Sequence, residues 1–148
     1  MERVLCVCLG NRSRSPMMQA VLQELLGPDF QVESAGAGRE AAGFARANAR
    51  SIACMKERGI DLSGHASRWA GDLDLTQYGW IVCVGRDEAD KVRAWLGSNA
   101  STVVIVANER QGGIPDPYEF GLPAYRDCLA LLDAVMPAIA RQIDGGRL

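Results

Sequence analysis

The chain reads as an α/β protein, a single domain with a four-stranded parallel sheet and helices on both faces. Three observations predict it. Short β-branched apolar runs alternate with stretches whose apolar residues recur at helical spacing. Their order is β-α-β-α-β-α-β-α, which calls for parallel strands joined by crossover helices. The chain is 148 residues long and carries no linker, repeat or low-complexity segment, so one core over residues 1–148 is expected.

Each element has its own signal. Val4 to Val7 (VLCV) is a short apolar run that ends at a glycine turn and reads as a buried strand. From Ser15 to Leu26, Met17, Met18, Val21, Leu22, Leu25 and Leu26 fall on one helical face. Pro16 sits in the first turn, where a missing N–H costs nothing, and Gly27-Pro28 stops the helix. Phe30 to Glu33 predicts a second strand, and SAGAGREAAG after it a small-residue loop. A helix is expected from Ala45 to Arg58, closed by Gly59. GWIVCV, from Gly79 to Val84, predicts the third strand and Glu88 to Leu96 a helix. TVVIVA, from Thr102 to Ala107, predicts the fourth strand. The polar loop NERQGGIPDPYEFG then leads into a final helix from Leu122 to Ile143.

Bulk composition narrows the function. A formal net charge of -2 argues against nucleic-acid and membrane-surface partners, which select for basic excess. No apolar run approaches the roughly 20 residues of a membrane span, and MERVLCVCLGN lacks the order of a signal peptide. A cytoplasmic setting is the expectation. The five cysteines, Cys6, Cys8, Cys54, Cys83 and Cys128, are irregularly spaced and include no CxxC. With His65 as the single histidine, neither a disulfide framework nor a metal site is expected. Most such cysteines are small buried hydrophobes.

Cys8 stands apart. VCLGNRSRSP places it between the first strand and the first helix, in the pattern C-x5-R-S. In an open parallel sheet that is the carboxyl edge, where ligands bind. Successive backbone N–H groups in such a turn form a nest for oxyanions, and the helix dipole adds positive charge there. The thiolate is the nucleophilic form of cysteine, and a helix N-terminus beside arginines is the setting that favours it. Gly10 and Asn11 tolerate positive φ, so the backbone can curl round a ligand. Arg14 offers a bidentate fork to phosphate oxygens. Ser15 offers a hydroxyl to the sulfur. A lone cysteine here is most often a packed strand residue; the joint pattern favours an anion site. A bound phosphate ester then needs an acid for its leaving oxygen. Asp116, between Pro115 and Pro117 in a loop at the same sheet edge, is the candidate. By itself D-P-Y is an ordinary turn.

VCLGN-x-x-RSP, SAG at Ser34–Gly36, GIDLSGH at Gly59–His65 and DPY near the C-terminus together resemble the low-molecular-weight protein tyrosine phosphatase family, in the right order along nearly the whole chain. The resemblance implies a metal-independent phosphoric monoester hydrolase without cofactor. Cys8 is then the nucleophile that forms a phosphocysteine, Arg14 binds the phosphoryl group, Ser15 assists the leaving thiolate, and Asp116 is the general acid and then base. Leu9, Gly10, Asn11, Arg12, Ser13, Ser15 and Tyr118 line the substrate site. Ser34 and His65 support Asn11 from behind, His65 in a structural rather than an acid–base role. The substrate is a phosphotyrosine protein or a small phosphate monoester, and the assembly a monomer or weak homodimer.

The chain also departs from the family pattern. Ser13 occupies the position where many members carry a second loop cysteine. Arg12 replaces an apolar residue. Arg39 and Glu40 stand where ring-gripping members have an aromatic, with Phe44 further on. Glu119 follows D-P-Y in place of a second tyrosine, and Val84-Gly85 replaces a Met-Asp pair. Two other readings remain. An arsenate reductase of the same fold needs two relay cysteines, and their positions align with Gly85 and Val92. A phosphate-sensing module without turnover needs no acid such as Asp116.

Overall fold

The apolar runs pair in the order β2-β1-β3-β4, every pair parallel, in the computed structural model, which describes residues 2–98 and 101–146. The strands are β1 (Glu2–Cys8), β2 (Phe30–Gly36), β3 (Trp80–Cys83) and β4 (Val103–Val106). The long helices are α1 (Arg14–Leu26), α2 (Ala49–Lys56), α3 (Arg86–Leu96) and α4 (Leu122–Ile143). Met1, Asn99, Ala100, Arg147 and Leu148, which the expected span 1–148 includes, lie outside the described residues.

Strand alternation splits the core into two layers. Val4, Cys6 and Cys8 of β1 face α1, α2 and α4, with Met17, Leu22, Met55 and Leu132 among the buried partners. Leu5 and Val7 face the other side, with Ile81 and Cys83 of β3 and Ala89 and Val92 of α3. Full burial of each such aliphatic side chain is worth roughly 1.5–3 kcal/mol, so both faces are driven to be covered. The central strands are buried throughout their cores, while β4 is the half-exposed edge.

Several boundaries differ from the sequence expectation, each for a local reason. β2 continues from Glu33 to Gly36 because its ladder with β1 runs on to the Cys8–Gly36 pair. Gly36 must be glycine: a Cβ there would meet the Leu9 carbonyl oxygen and the Ala41 Cβ, both at 2.5 Å. α2 begins at Ala49, not Ala45, because the Asn48 side chain accepts the Arg50 N–H and caps it. Arg46 is instead extended and bridges to Ala66. The small-residue loop holds a 3₁₀ turn at Arg39–Gly43, and the stretch between α2 and β3 holds two more, at Ala70–Asp72 and Leu75–Gln77. β1, β3, β4, α1 and α3 shift by one or two residues.

The strand order sets the place of function. From β1 the chain crosses to β2 on one side and later returns to β3 on the other. Their loops diverge at the carboxyl edge, the switch point where open α/β sheets bind ligands.

Candidate active site

The loop from Cys8 to Ser15 owes its shape to carbonyls engaged from outside. The Cys8 and Leu9 carbonyls accept N–H groups of Ala37 (2.8 Å) and Gly38 (2.9 Å). The Arg12 carbonyl accepts the Asn48 N–H at 2.8 Å, and the Ser13 carbonyl accepts the Met17 N–H at 3.4 Å. The Asn11 carbonyl accepts His65 Nε2–H at 2.7 Å. With these five carbonyls engaged, what the loop mainly offers a ligand is its row of N–H groups and the N-terminus of α1. The first turn of α1 contains no acidic residue.

Asn11 is the keystone. It is fully buried and sits at φ 58°, a left-handed conformation that Asn tolerates better than most residues. Its side-chain amide donates to Ser15 Oγ at 2.8 Å and Ser34 Oγ at 3.0 Å, and its Oδ1 accepts the Arg68 backbone N–H at 2.9 Å. Its own N–H points at Cys8 Sγ, 3.2 Å away. Asn11 fills an acceptor site on Ser15, and the Ser15 hydroxyl lies 3.0 Å from Cys8 Sγ and 3.5 Å from the Ala35 carbonyl oxygen; toward an ionised sulfur, which only accepts, the hydroxyl is the donor of the shorter contact. The Asn11 N–H and the Ser15 hydroxyl thus both face the sulfur. The resemblance implies that Ser34 and His65 hold Asn11; in the structure both contact it, with Asn11 donating to Ser34 and His65 donating to the Asn11 carbonyl. Burial lowers the His65 pKa below the ordinary histidine value, so the ring holds its position as a neutral Nε2–H donor.

The acid loop comes from the far side of β3. A Cβ on Gly113 would lie 2.3 Å from the Val84 carbonyl oxygen, so this glycine, at φ +96°, lets the loop dock on the sheet edge. Ile114 N–H then donates to the Val84 carbonyl at 2.8 Å. The Ile114 carbonyl in turn accepts Arg14 Nη1 at 2.9 Å. Arg14 Nη2 lies 3.6 Å from Asp116 Oδ2. Asp116 Oδ1 accepts the Tyr118 N–H at 3.0 Å, which fixes the carboxylate at the tip of the turn. Asp116 is half-exposed and Arg14 mostly buried.

One pocket of about 390 Å³ collects Cys8, Leu9, Gly10, Arg12, Ser13, Arg14, Asp116 and Tyr118. Asn11 and Ser15, expected to line the substrate site, sit with Ser34 and His65 behind the loop rather than in the pocket, because both are fully buried by the bonds that hold the loop. Arg12 is anchored by Nε to the Arg46 carbonyl at 2.9 Å. Of the pair read at the aromatic position, Glu40 lines the pocket, while Arg39 stacks on the Trp69 ring 4.8 Å away. Two contributors carried no sequence signal: the Arg68 backbone N–H that holds Asn11, and fully buried Tyr125, whose hydroxyl meets Ser13 Oγ at 3.0 Å.

The remaining cysteines are of a different kind. Burial pushes the thiols of Cys83 and Cys128 up to about 12 and raises those of Cys6 and Cys54. Cys83 faces α3, on the side of the sheet opposite Cys8. Gly85 caps α3, and Val92 is packed beneath it. Among the described residues, no group of three His, Cys, Asp or Glu side chains is placed to hold a metal ion, and no helix is long and apolar enough to cross a membrane.

Comparison with known proteins agrees with this architecture. The family model for low molecular weight phosphotyrosine protein phosphatase matches residues 3–146. The probable low molecular weight protein-tyrosine-phosphatase EpsP of Ralstonia solanacearum is 34% identical over 143 residues, 93% of this chain and 96% of that protein. The structure of Vibrio vulnificus Wzb in complex with benzylphosphonate superposes with a TM-score of 0.81 at 28% identity, over 95% of this chain and 98% of that one. Arsenate reductase 2 of Staphylococcus epidermidis matches over only 90 residues, 61% of this chain, at 39% identity. The likeness to phosphatases runs from the first strand to the last helix, and the chain belongs to the low molecular weight phosphotyrosine protein phosphatase family.

Proposed function

We propose that the protein hydrolyses phosphotyrosine on polypeptides through a phosphocysteine on Cys8, with Arg14 and Asp116 as its catalytic partners. The observation that carries this assignment is the convergence of the Asn11 N–H and the Ser15 hydroxyl on Cys8 Sγ, at 3.2 and 3.0 Å. Cys8 Sγ attacks phosphorus. The bond from phosphorus to the tyrosyl oxygen breaks, and Asp116 gives that oxygen its proton. Arg14 and the loop N–H groups hold the three equatorial oxygens as charge spreads over them. Water then attacks the phosphocysteine and passes its proton to Asp116. The S–P bond breaks, and the Ser15 hydroxyl receives the departing thiolate. Two easier displacements replace one hard one.

The geometry weighs against both alternatives. An arsenate relay needs reactive thiols at the positions held here by Gly85 and Val92; Cys83 lies across the sheet, and Cys128, on the same side as Cys8, is buried with its thiol pushed up to about 12. A pure anion receptor gains nothing from a carboxylate 3.6 Å from its arginine, because that carboxylate repels the ligand.

The test is hydrolysis of p-nitrophenyl phosphate from pH 5 to 8 with a thiol reductant and a chelator. Cys8→Ser is expected to lose roughly 10⁴-fold or more in kcat while still binding phosphate. Asp116→Ala is expected to lose roughly 10²–10⁴-fold. Turnover that survives in Cys8→Ser contradicts the mechanism.

A further inference from the structure

Six large apolar side chains are strongly exposed among the described residues: Leu9, Phe44, Trp95, Val103, Tyr118 and Phe120. Four of the six stand on segments that frame the catalytic pocket. Leu9 and Tyr118 line it, and Phe44 immediately precedes Ala45, which also lines it. Phe120 lies two residues beyond Tyr118. Single exposed hydrophobics are ordinary, but a cluster at one site marks an interaction surface. Phe44 is the extreme case: it is 72% exposed and sits at φ 53°, where a bulky residue is seldom found.

A second cavity adjoins this rim. It measures about 270 Å³, and Pro115, Pro117, Phe120, Ala124, Cys128 and Leu131 give it a mostly apolar wall that Asp116 and Asp127 complete. Asp116 lines both cavities and also a polar cleft of about 630 Å³ shared with Arg14, Arg86 and Glu109, so the carboxylate divides a charged side from an apolar one. A ligand that places its phosphoryl group on Cys8 and its leaving oxygen at Asp116 has a charged cleft on one side and this cavity on the other, and apolar groups flanking the phosphoryl group are matched to the cavity. A sugar phosphate has no apolar surface to put there. A polypeptide does, since neighbouring residues along an extended chain are only about 3.5 Å apart.

We infer that Phe44 and Phe120 form a docking collar for the polypeptide around the phosphotyrosine, and that the cavity beside Phe120 seats a bulky apolar side chain flanking it. This rests on the phosphatase mechanism above and deepens it, because it selects protein phosphotyrosine with apolar neighbours over small phosphate monoesters.

The test compares two phosphotyrosyl peptides that differ only in the residues on either side of the phosphotyrosine, leucine in one and serine in the other. kcat/KM is measured for the parent, Phe44→Ser and Phe120→Ser. Both variants change exposed side chains, so folding is not at risk. The readout is the leucine-to-serine ratio within each enzyme, from which any change in basal rate cancels. The parent is expected to favour the leucine peptide by about tenfold, and Phe120→Ser to bring the ratio below about threefold, with Phe44→Ser between. A parent ratio near one, or a ratio unmoved by Phe120→Ser, overturns the collar. So does glucose 6-phosphate hydrolysed more efficiently than either peptide. p-Nitrophenyl phosphate is the control on the underlying mechanism: parent turnover with a ratio near one sinks the collar alone, while no turnover sinks the phosphatase mechanism beneath it.

Discussion

β1 and β3 lie side by side, run parallel, end in a cysteine and feed a helix, yet only one of the two turns is built for chemistry. Three differences separate them. Cys8 is one register step beyond the residue paired with Cys83, so the two sulfurs face opposite sides of the sheet. Five residues separate Cys8 from Arg14, enough to wrap an anion, whereas only Val84 and Gly85 separate Cys83 from Arg86. Finally, α3 carries Asp87 and Glu88 in its first turn and neutralises its own positive end, while α1 carries no acid there. A strand end and a helix N-terminus do not make an anion site. Loop length, the direction of the carbonyls and a first helical turn without acids do.

The largest expected effect comes from the Arg14 fork; its counterpart after β3, Arg86, is drawn to Glu109 at 3.5 Å. Arg14→Lys keeps the charge but loses the two-point grip, and kcat for p-nitrophenyl phosphate is expected to fall by roughly 10²–10³-fold. A variant within threefold of the parent would mean that charge alone suffices. A smaller change makes the β1 turn resemble the β3 turn. Arg12→Glu puts a carboxylate at the mouth of the nest, and the inhibition constant for inorganic phosphate should rise about three- to tenfold. Unaltered inhibition would show that acids near the turn are irrelevant to the contrast.

Cys83→Ser probes the other turn. A buried hydroxyl costs about 1–3 kcal/mol there, so Tm should drop by roughly 3–8 °C while kcat is retained. Loss of kcat in a folded protein would place Cys83 in the chemistry. The smallest effect is the pH response of His65. Burial holds its pKa below that of the unfolded chain, so the unfolded state binds more protons in the interval between the two values. The stability this gives is complete above the unfolded value of 6.5 and lost as pH falls through the folded one. The Tm loss between pH 7.5 and pH 5 should therefore be smaller in His65→Gln than in the parent, as read by calorimetry.

Much of the design was legible in the chain itself. The alternation of apolar runs named all four strands, and α4 matched from Leu122 to Ile143. Cys8, Arg14 and Asp116 were identified from motif and context, and the structure places them in one pocket. What escaped shares a physical character. The start of α2 was misread because Asn48, a cap, sits inside a continuous helical pattern. The three 3₁₀ turns between β2 and β3 have no periodicity to detect. Arg68 holds Asn11 through its backbone N–H, which any residue except proline possesses, so no side-chain pattern announces it. Tyr125 meets Ser13 across 112 positions, a contact that only the packing of α4 on α1 creates.

The measurement that bears most directly on the central claim is a rapid acid quench of the enzyme during turnover, followed by mass spectrometry of its cysteine peptides. A phosphoryl group on the peptide containing Cys8, absent from the one containing Cys83 and accumulating in Asp116→Ala when a good leaving group is used, is the predicted result. A phosphoryl group on Cys83, or steady turnover with no phosphocysteine at any time, would contradict it.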